Sequence, residues 1–226
     1  VRNRPLRILS FFFVIAFTTM SISNAADSYF MSYNIGATPM MTTVFMWLGT
    51  IPAFIFLPLL PSIKRKIGKA AMFRLFLGIS IVGMILMYVI VSIPSLSSCF
   101  PLVCAIQFIK SVGILVATGY MWALVPEVVT FGEYTTGRRV AAIVNAIICI
   151  FMKAGMALGG VIPGFVLAWV GFNASNQVQT PLAQQGILWL VTLIPAALFL
   201  LATFVIGKYE LSDEKMDEIN SSITNK

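Results

Sequence analysis

The chain has 226 residues, of which 59% are hydrophobic and 10% charged, and its mean hydropathy is +0.94. No soluble domain with a single core needs so much apolar surface, so the composition predicts an all-α integral membrane protein with several spans. The net charge of +7 lies mostly in short stretches between apolar segments, and nothing in it resembles a nucleic-acid-binding patch.

Six segments are long and apolar enough to cross a bilayer. We predict spans at about residues 8–33, 40–60, 70–93, 100–125, 140–170 and 186–207. They form a six-helix transmembrane bundle over residues 1–207, which a charged tail at 208–226 follows.

The basic residues are distributed unevenly between the connections. Of the 15 lysines and arginines, 13 lie in the N-terminal strip, the second and fourth connections, and the tail. The connections near 34–39, 94–99 and 171–185 contain no charged residue. By the positive-inside rule, the basic segments and both termini are predicted to face the cytoplasm.

Span one becomes polar in its outer half, where Ser23, Asn24 and Asp27 are close together. Lipid does not tolerate such a face, so it is expected to line protein or water. Span two is expected to bend or break at Pro52 and Pro58, and to end in a short basic turn, SIKRKIGKA.

Span four is the second helix with a polar face, because it contains Gln107, Lys110 and Trp122. Span five carries Lys153 and a series of small residues whose four-residue spacings allow another helix to approach closely, as fixed packing or as a moving contact. The series is Gly155, Gly159, Gly160 and Gly164.

Asp27, Lys110 and Lys153 are the ionisable residues that lie away from the cytoplasmic edge. At about 1.5 Å per residue they are roughly 28, 24 and 20 Å from that edge, which predicts a single layer on three helices. A lone charge in hydrocarbon is costly, so opposite charges are expected to pair around a wet cavity. Asp27 cannot pair fully with both lysines, so one positive charge remains for another carboxylate or an anionic ligand. A purely structural role as a link between helices is the alternative.

These residues predict a transporter or channel with a polar mid-membrane site that favours an acidic or hydroxyl-rich solute. The chain has no P-loop, no nucleophile-elbow motif and no clustered metal ligands. An enzyme is therefore not predicted.

The fourth connection reads VPEVVTFGEYTTGRR, and Lys153 follows twenty residues after Glu133. This pattern resembles the glycoside-pentoside-hexuronide:cation symporter family of the major facilitator superfamily. The stretches NRPL, GFNASNQVQTP and YELSDEKMDEI also resemble this family, so the resemblance covers the whole chain.

The resemblance implies a twelve-helix major facilitator carrier in which this chain supplies the second six helices, and the absence of an initiator Met agrees with that expectation. It implies alternating access in a bacterial inner membrane, no cofactor, and a co-transported H⁺ or Na⁺. The expected partners are a sugar or glycoside, with a glucuronide favoured by NQVQTP, an N-terminal six-helix half in the same or another chain, and the bilayer. A truncated or non-transporting membrane subunit or receptor is the alternative.

In this family the lysine that matches Lys153 is tied to the sugar and cation sites. We predict that Asp27 pairs with Lys110 and leaves Lys153 for substrate or coupling, with Asn24 and Trp122 in the same site. The fourth connection is predicted to form a cytoplasmic gate, or only to set topology; its charged residues are Glu127, Glu133, Arg138 and Arg139. Thr130 stands where the family usually has a second acid, so this network is expected to be weaker.

Overall fold

The computed structural model describes residues 3–138, 140–176 and 178–224 of the chain, and within these ranges the secondary structure is helical, with no strand. The α-helices, in chain order, are α1 (Arg4–Tyr29), α2 (Pro39–Phe56), α3 (Leu60–Ile67), α4 (Lys69–Val91), α5 (Pro94–Ser97), α6 (Phe100–Tyr120), α7 (Val125–Thr136), α8 (Ala141–Trp169), α9 (Pro181–Val191), α10 (Leu193–Ile206) and α11 (Asp213–Thr224). A π-helical turn at Phe30–Ile35 extends α1, and 3₁₀ turns at Leu57–Leu59 and Met121–Leu124 join α2 to α3 and α6 to α7.

Six helical stretches of the described residues are long and apolar enough to cross a membrane. They are Arg4–Ile35, Pro39–Ile67, Lys69–Val91, Phe100–Thr136, Ala141–Trp169 and Pro181–Ile206. The predicted all-α class with six spans is therefore confirmed. Several stretches extend beyond their predicted limits, because polar turns at their ends continue the helix outside the apolar segment.

Three of these stretches begin with the same local signal, a capping side chain close to a proline. The side chains of Asn3, Thr38 and Thr180 each accept a hydrogen bond from the backbone N–H three residues later. A proline follows in the first turn, where its missing N–H costs nothing. The starts of α1, α2 and α9 therefore follow from local sequence.

The second connection, predicted as a short basic turn over SIKRKIGKA, is mostly helical. Lys64, Arg65 and Lys66 lie in the last turn of α3, whereas Lys69 begins α4. One residue, Gly68, separates the two helices, and its φ of 78° favours glycine. The helix α2 runs through Pro52 without interruption, whereas Pro58 lies in the 3₁₀ turn that ends the regular α-helix. Of the two prolines, only Pro58 marks a change of helix type.

The helix α1 is at the centre of the bundle and packs on α8, α10 and α6. The pairs α2 with α6, α4 with α6 and α4 with α10 complete the packing. In α2 and α8 only 17% of the apolar window is buried, against 67% in α1. These two helices therefore expose most of their apolar surface, which lipid or further helices cover in a membrane.

Close packing of α8 on α1 depends on Gly155 and Gly159. A Cβ at Gly155 would lie 2.6 Å from the Val14 carbonyl oxygen, and one at Gly159 would lie 2.7 Å from the Thr18 carbonyl oxygen. The Thr18 hydroxyl also donates to the Gly155 carbonyl oxygen at 3.0 Å. A step of four residues along α8, from Gly155 to Gly159, matches a step of four residues along α1, from Val14 to Thr18. The two helices therefore run parallel.

The other two glycines of the predicted packing series, Gly160 and Gly164, lie about 100° further around α8. A Cβ at either position would meet no described atom within 4 Å. The series therefore divides into one pair that packs against α1 and a second pair on the outer face of the bundle.

Candidate functional site

A buried ion pair joins α1 to α6. The Lys110 ammonium lies 2.8 Å from Asp27 Oδ1, and the two residues are 0% and 7% exposed. Gln107 Nε2 donates to Asp27 Oδ2 at 2.9 Å, so each carboxylate oxygen has its own donor. The predicted pair between spans one and four is thus present, and Gln107 joins it.

The backbone of α6 is held in place behind this pair by α4. The Ser80 hydroxyl donates to the Lys110 carbonyl oxygen and accepts from the Gly113 N–H at 2.9 Å. A Cβ at Gly83 of α4 would lie 2.8 Å from the backbone nitrogen of Lys110, so α4 and α6 are in backbone contact at this level. On the other side, the Lys110 ammonium lies 5.9 Å from the centre of the Phe45 ring of α2. Lys110 is therefore fixed from three helices.

A cavity of about 430 Å³ lies beside the pair, with walls from α1, α2 and α6. Its polar lining includes Ser23, Asn24, Asp27, Thr50, Gln107 and Lys110. Gly49 leaves room for the amide of Gln107, because a Cβ there would lie 3.0 Å from Nε2. The predicted polar faces of spans one and four therefore meet around one cavity.

The structure does not place Lys153 in the same layer as Asp27. Lys153 is exposed on α8, two residues before Gly155, and Gly155 contacts Val14 and Thr18 of α1. Lys153 is therefore level with Val14, about 20 Å along α1 from Asp27. The prediction of a single layer holds for the ion pair and is wrong for Lys153.

Trp122 also lies away from the cavity, in the 3₁₀ turn after α6. Its ring meets Phe13 edge-on at 5.0 Å and is 40% exposed. Because Phe13 precedes Val14, Trp122 and Lys153 are at nearly the same level of α1. The candidate residues thus occupy two levels, one at the ion pair and one closer to the basic end of the bundle.

A second charged network lies at the basic end. The Lys69 ammonium is 2.6 Å from Glu127 Oε1 and 2.9 Å from Asp213 Oδ1, and Lys69 is 6% exposed. Lys64 also pairs with Asp213, at 3.0 Å. The start of α4, the first turn of α7 and the tail are joined in this way. Asp213 of the tail supplies a second acid to this network, in addition to Glu127. The position at which a second acid was expected, Thr130, is not acidic.

One of the predicted gate residues, Glu127, has an ion-pair partner outside the predicted group. Glu127 pairs with Lys69 of α4, whereas Arg138 is exposed beyond Gly137, which ends α7 with a φ of 69°. Glu133 lies further along α7, six residues after Glu127. Arg139, the fourth predicted gate residue, lies outside the described residues.

The environment of the tail shifts two pKa values. Burial raises the pKa of the Tyr209 phenol, and the nearby Glu127 carboxylate raises it further. Partial burial acts to raise the pKa of Asp213, but Lys69 and Lys64 outweigh it, so that pKa lies below its ordinary value of 3.8. Asp213 is therefore ionised at neutral pH and holds both lysines.

Sequence reasoning missed Gln107 and Lys69 as site residues. Gln107 precedes Lys110 by three residues and so lies on the same face of α6, which is a usable signal. Lys69 looks like a solvated loop residue, because its burial depends on the tail folding back against α4 and α7.

An apolar six-helix bundle with a charged internal cavity is typical of polytopic membrane carriers. The chain matches the family described as MFS/sugar transport protein over residues 1–213. It therefore belongs to the MFS/sugar transport protein family and is a multi-pass membrane protein.

Relatives are similar along nearly the whole chain. "Uncharacterized symporter YnaJ" of Bacillus subtilis (strain 168) is 39% identical over 224 residues, 99% of this chain and 47% of that protein. "Glucuronide carrier protein homolog" of Escherichia coli (strain K12) is 32% identical over 225 residues, 100% of this chain and 48% of that protein. "Putative sulfoquinovose importer" of the same organism is 28% identical, over 97% of this chain and 46% of that protein. The chain thus spans about half the length of these curated relatives.

Proposed function

We propose that this chain forms the C-terminal six-helix half of a secondary transporter that imports a sugar or glycoside with H⁺ or Na⁺. The observation that carries the proposal is the charged cavity, which surrounds the buried Asp27–Lys110 pair inside apolar helices of a sugar-transport family member. Ionisable groups at such depth are costly and mark substrate or ion pathways. The names of the relatives, symporters and a carrier, favour transport over a non-transporting subunit.

A second six-helix half, in the same or another chain, completes the carrier. The exposed apolar surfaces of α2 and α8 support this, since they need a cover of lipid or protein. The half-length match to the relatives supports it as well. Alternating access then consists of the two halves rocking around the site between them.

The two levels of polar residues have separate roles in this proposal. The Asp27–Lys110 pair and Asn24 form the deep wall of the substrate site. Lys153 and Trp122 form a second level nearer the basic end, about 20 Å from the pair along α1. The exposed ammonium of Lys153 is available there to a group on the other half. A glucuronide is the favoured substrate, and the relative named as a glucuronide carrier homolog supports that choice.

The network at the basic end is proposed to contribute to the gate on that side. Lys69 connects Glu127 of α7 to Asp213 of the tail, so movement of α4 against α7 must break a buried ion pair. Glu133, Arg138 and Arg139 remain proposed gate residues, which contact the other half. The basic end is proposed to face the cytoplasm of a bacterium, with the carrier in its inner membrane.

Counterflow in proteoliposomes that contain the complete carrier tests the proposal. Labelled glucuronides and neutral glycosides are exchanged against the unlabelled sugar, in Na⁺ or K⁺ buffers and over a range of pH. We expect exchange of at least one glycoside, with accumulation that depends on Na⁺ or on the proton gradient. Absence of exchange for every sugar, with the carrier correctly inserted, contradicts the proposal.

A further inference from the structure

The cavity beside the ion pair contains two buried polar atoms that have no hydrogen-bond partner among the described residues, Ser23 Oγ and Gln107 Oε1. Ser23 is 4% exposed and Gln107 is 2% exposed. Buried polar atoms are nearly always hydrogen-bonded in folded proteins. Both residues line the cavity, so a molecule bound against this wall is the nearest candidate partner for the two atoms.

The hydrogen bond between Gln107 and Asp27 determines what such a molecule must offer. An ionised carboxylate only accepts, so the amide turns its Nε2–H to Asp27. The Oε1 atom of Gln107 is then an acceptor without a donor, and the ligand must bring a hydroxyl or N–H group to it. The Ser23 hydroxyl both donates and accepts, so it matches a second hydroxyl.

The charges of the site argue against an acidic group in this cavity. The Lys110 ammonium and the Asp27 carboxylate are 2.8 Å apart and cancel each other. A ligand carboxylate would add one uncompensated negative charge to a desolvated site, and a ligand cation would add one positive charge next to Lys110. An uncharged group with several hydroxyls satisfies the open positions at no such cost.

We infer that the cavity between α1, α2 and α6 binds the uncharged, hydroxyl-bearing ring of the sugar through Gln107 Oε1 and Ser23 Oγ, while any carboxylate of the substrate lies outside it. This inference rests on the proposed function. It separates the part of the site that binds the sugar ring from any part that binds a carboxylate of the substrate. The volume of about 430 Å³ is within the range of small-molecule sites.

The test uses two probes that differ only at C6 of the sugar, p-nitrophenyl β-D-glucoside and p-nitrophenyl β-D-glucuronide. Their affinities are measured on the purified complete carrier and on its Ser23→Ala variant. The Ser23 hydroxyl has no hydrogen-bond partner among the residues that the structure describes, so its removal leaves the contacts seen within this half intact. We expect both probes to lose affinity by about three- to tenfold, the effect of one hydrogen bond.

Ser10→Ala is the matched control. Ser10 lies on the same helix, is 2% exposed, and also has a hydroxyl without a partner, but it does not line the cavity. We expect its affinities to equal those of the wild type. A Gln107→Met variant keeps the size of the side chain but removes both the acceptor and the N–H that donates to Asp27. It should weaken both probes equally and also lower the unfolding temperature, which Ser23→Ala should not.

The outcomes separate the ring-binding site from the proposed function. Unchanged affinity in Ser23→Ala, or an equal loss in Ser10→Ala, overturns the ring-binding site. A loss confined to the glucuronide places the carboxylate in the cavity and also overturns it. A wild-type carrier that binds neither probe and exchanges no other glycoside overturns the proposed function itself.

Discussion

Removal of either partner of the Asp27–Lys110 pair should destabilise the protein far more than removal of both. In Asp27→Asn the Lys110 ammonium stays in a position where it is 0% exposed, without its counter-charge. In Lys110→Met the carboxylate keeps, among the described residues, the Gln107 amide as its side-chain donor. The double variant has no charge in the site, so it should recover most of the loss.

The geometry gives the size of the effect. At 2.8 Å and an effective dielectric constant near 20, the attraction between the two charges is about 6 kcal/mol. Desolvation offsets part of it, and breaking one side of a buried pair typically costs about 3–5 kcal/mol. We therefore expect each single variant to lose about 3 kcal/mol and the double variant about 1 kcal/mol, so that the double-mutant cycle gives a coupling energy of about 5 kcal/mol.

Thermal unfolding of the purified complete carrier in detergent measures this cycle, with membrane insertion checked for each variant. The same four proteins, assayed by counterflow, report whether transport follows stability. Additive losses, in which the double variant is as unstable as the sum of the single ones, would refute the reasoning, since independent sites add without coupling.

Further predictions concern the helix contact, the tail and the second level of the site. Gly155→Ala should destabilise the bundle by about 1–3 kcal/mol, because its Cβ meets backbone atoms of α1. Gly164→Ala, whose Cβ meets no described atom within 4 Å, should leave thermal stability unchanged. Because the pKa of Asp213 is lowered, its contribution to the docking of the tail is complete above pH 3.8 and is lost as the pH falls further. Pepsin should therefore cleave the tail faster below pH 3.8. A cleavage rate of Asp213→Asn equal to that of the wild type at pH 4.5 would contradict this. Lys153→Met should abolish sugar accumulation without a change in unfolding temperature, since Lys153 is exposed in this half; normal accumulation would exclude a role in coupling.

The ion pair was predictable because the sequence contains few charges inside its spans. Asp27 and Lys110 have opposite signs, similar estimated depths and polar neighbours on their helices. Since an unpaired charge in hydrocarbon is costly, that pairing was strongly favoured. Gln107 lies three residues before Lys110 and therefore on the same face of α6, so helix periodicity alone places it beside the ion pair.

The position of Lys153 was not predictable from depth counting. The first predicted span begins at residue 8, whereas α1 begins at Arg4, so Asp27 lies further from the basic end than the prediction places it. The level of α8 against α1 is set by where Gly155 and Gly159 meet the backbone of α1, and the sequence does not give that register. At about 1.5 Å per residue, an error of a few residues in the start of each helix accounts for a large part of the offset of about 20 Å between Lys153 and Asp27.

The network at the basic end needed tertiary information. Lys69 is one of five basic residues between positions 64 and 74, and nothing local distinguishes it. It becomes buried because the chain reverses at Gly68 and because the tail returns Asp213 to the start of α4. Contacts between segments so distant in sequence cannot be read from helix periodicity.

Substrate protection of a cysteine in the cavity tests the central claim most directly. In a complete carrier from which all native cysteines have been removed, Cys99, Cys104 and Cys149 of this chain among them, the variant Asn24→Cys places one thiol on the cavity wall. If this cavity binds the transported sugar, a saturating concentration of that sugar should slow the reaction with a membrane-permeant maleimide by about tenfold, because the bound ligand excludes the reagent. An unchanged rate at a concentration that saturates transport would contradict the account.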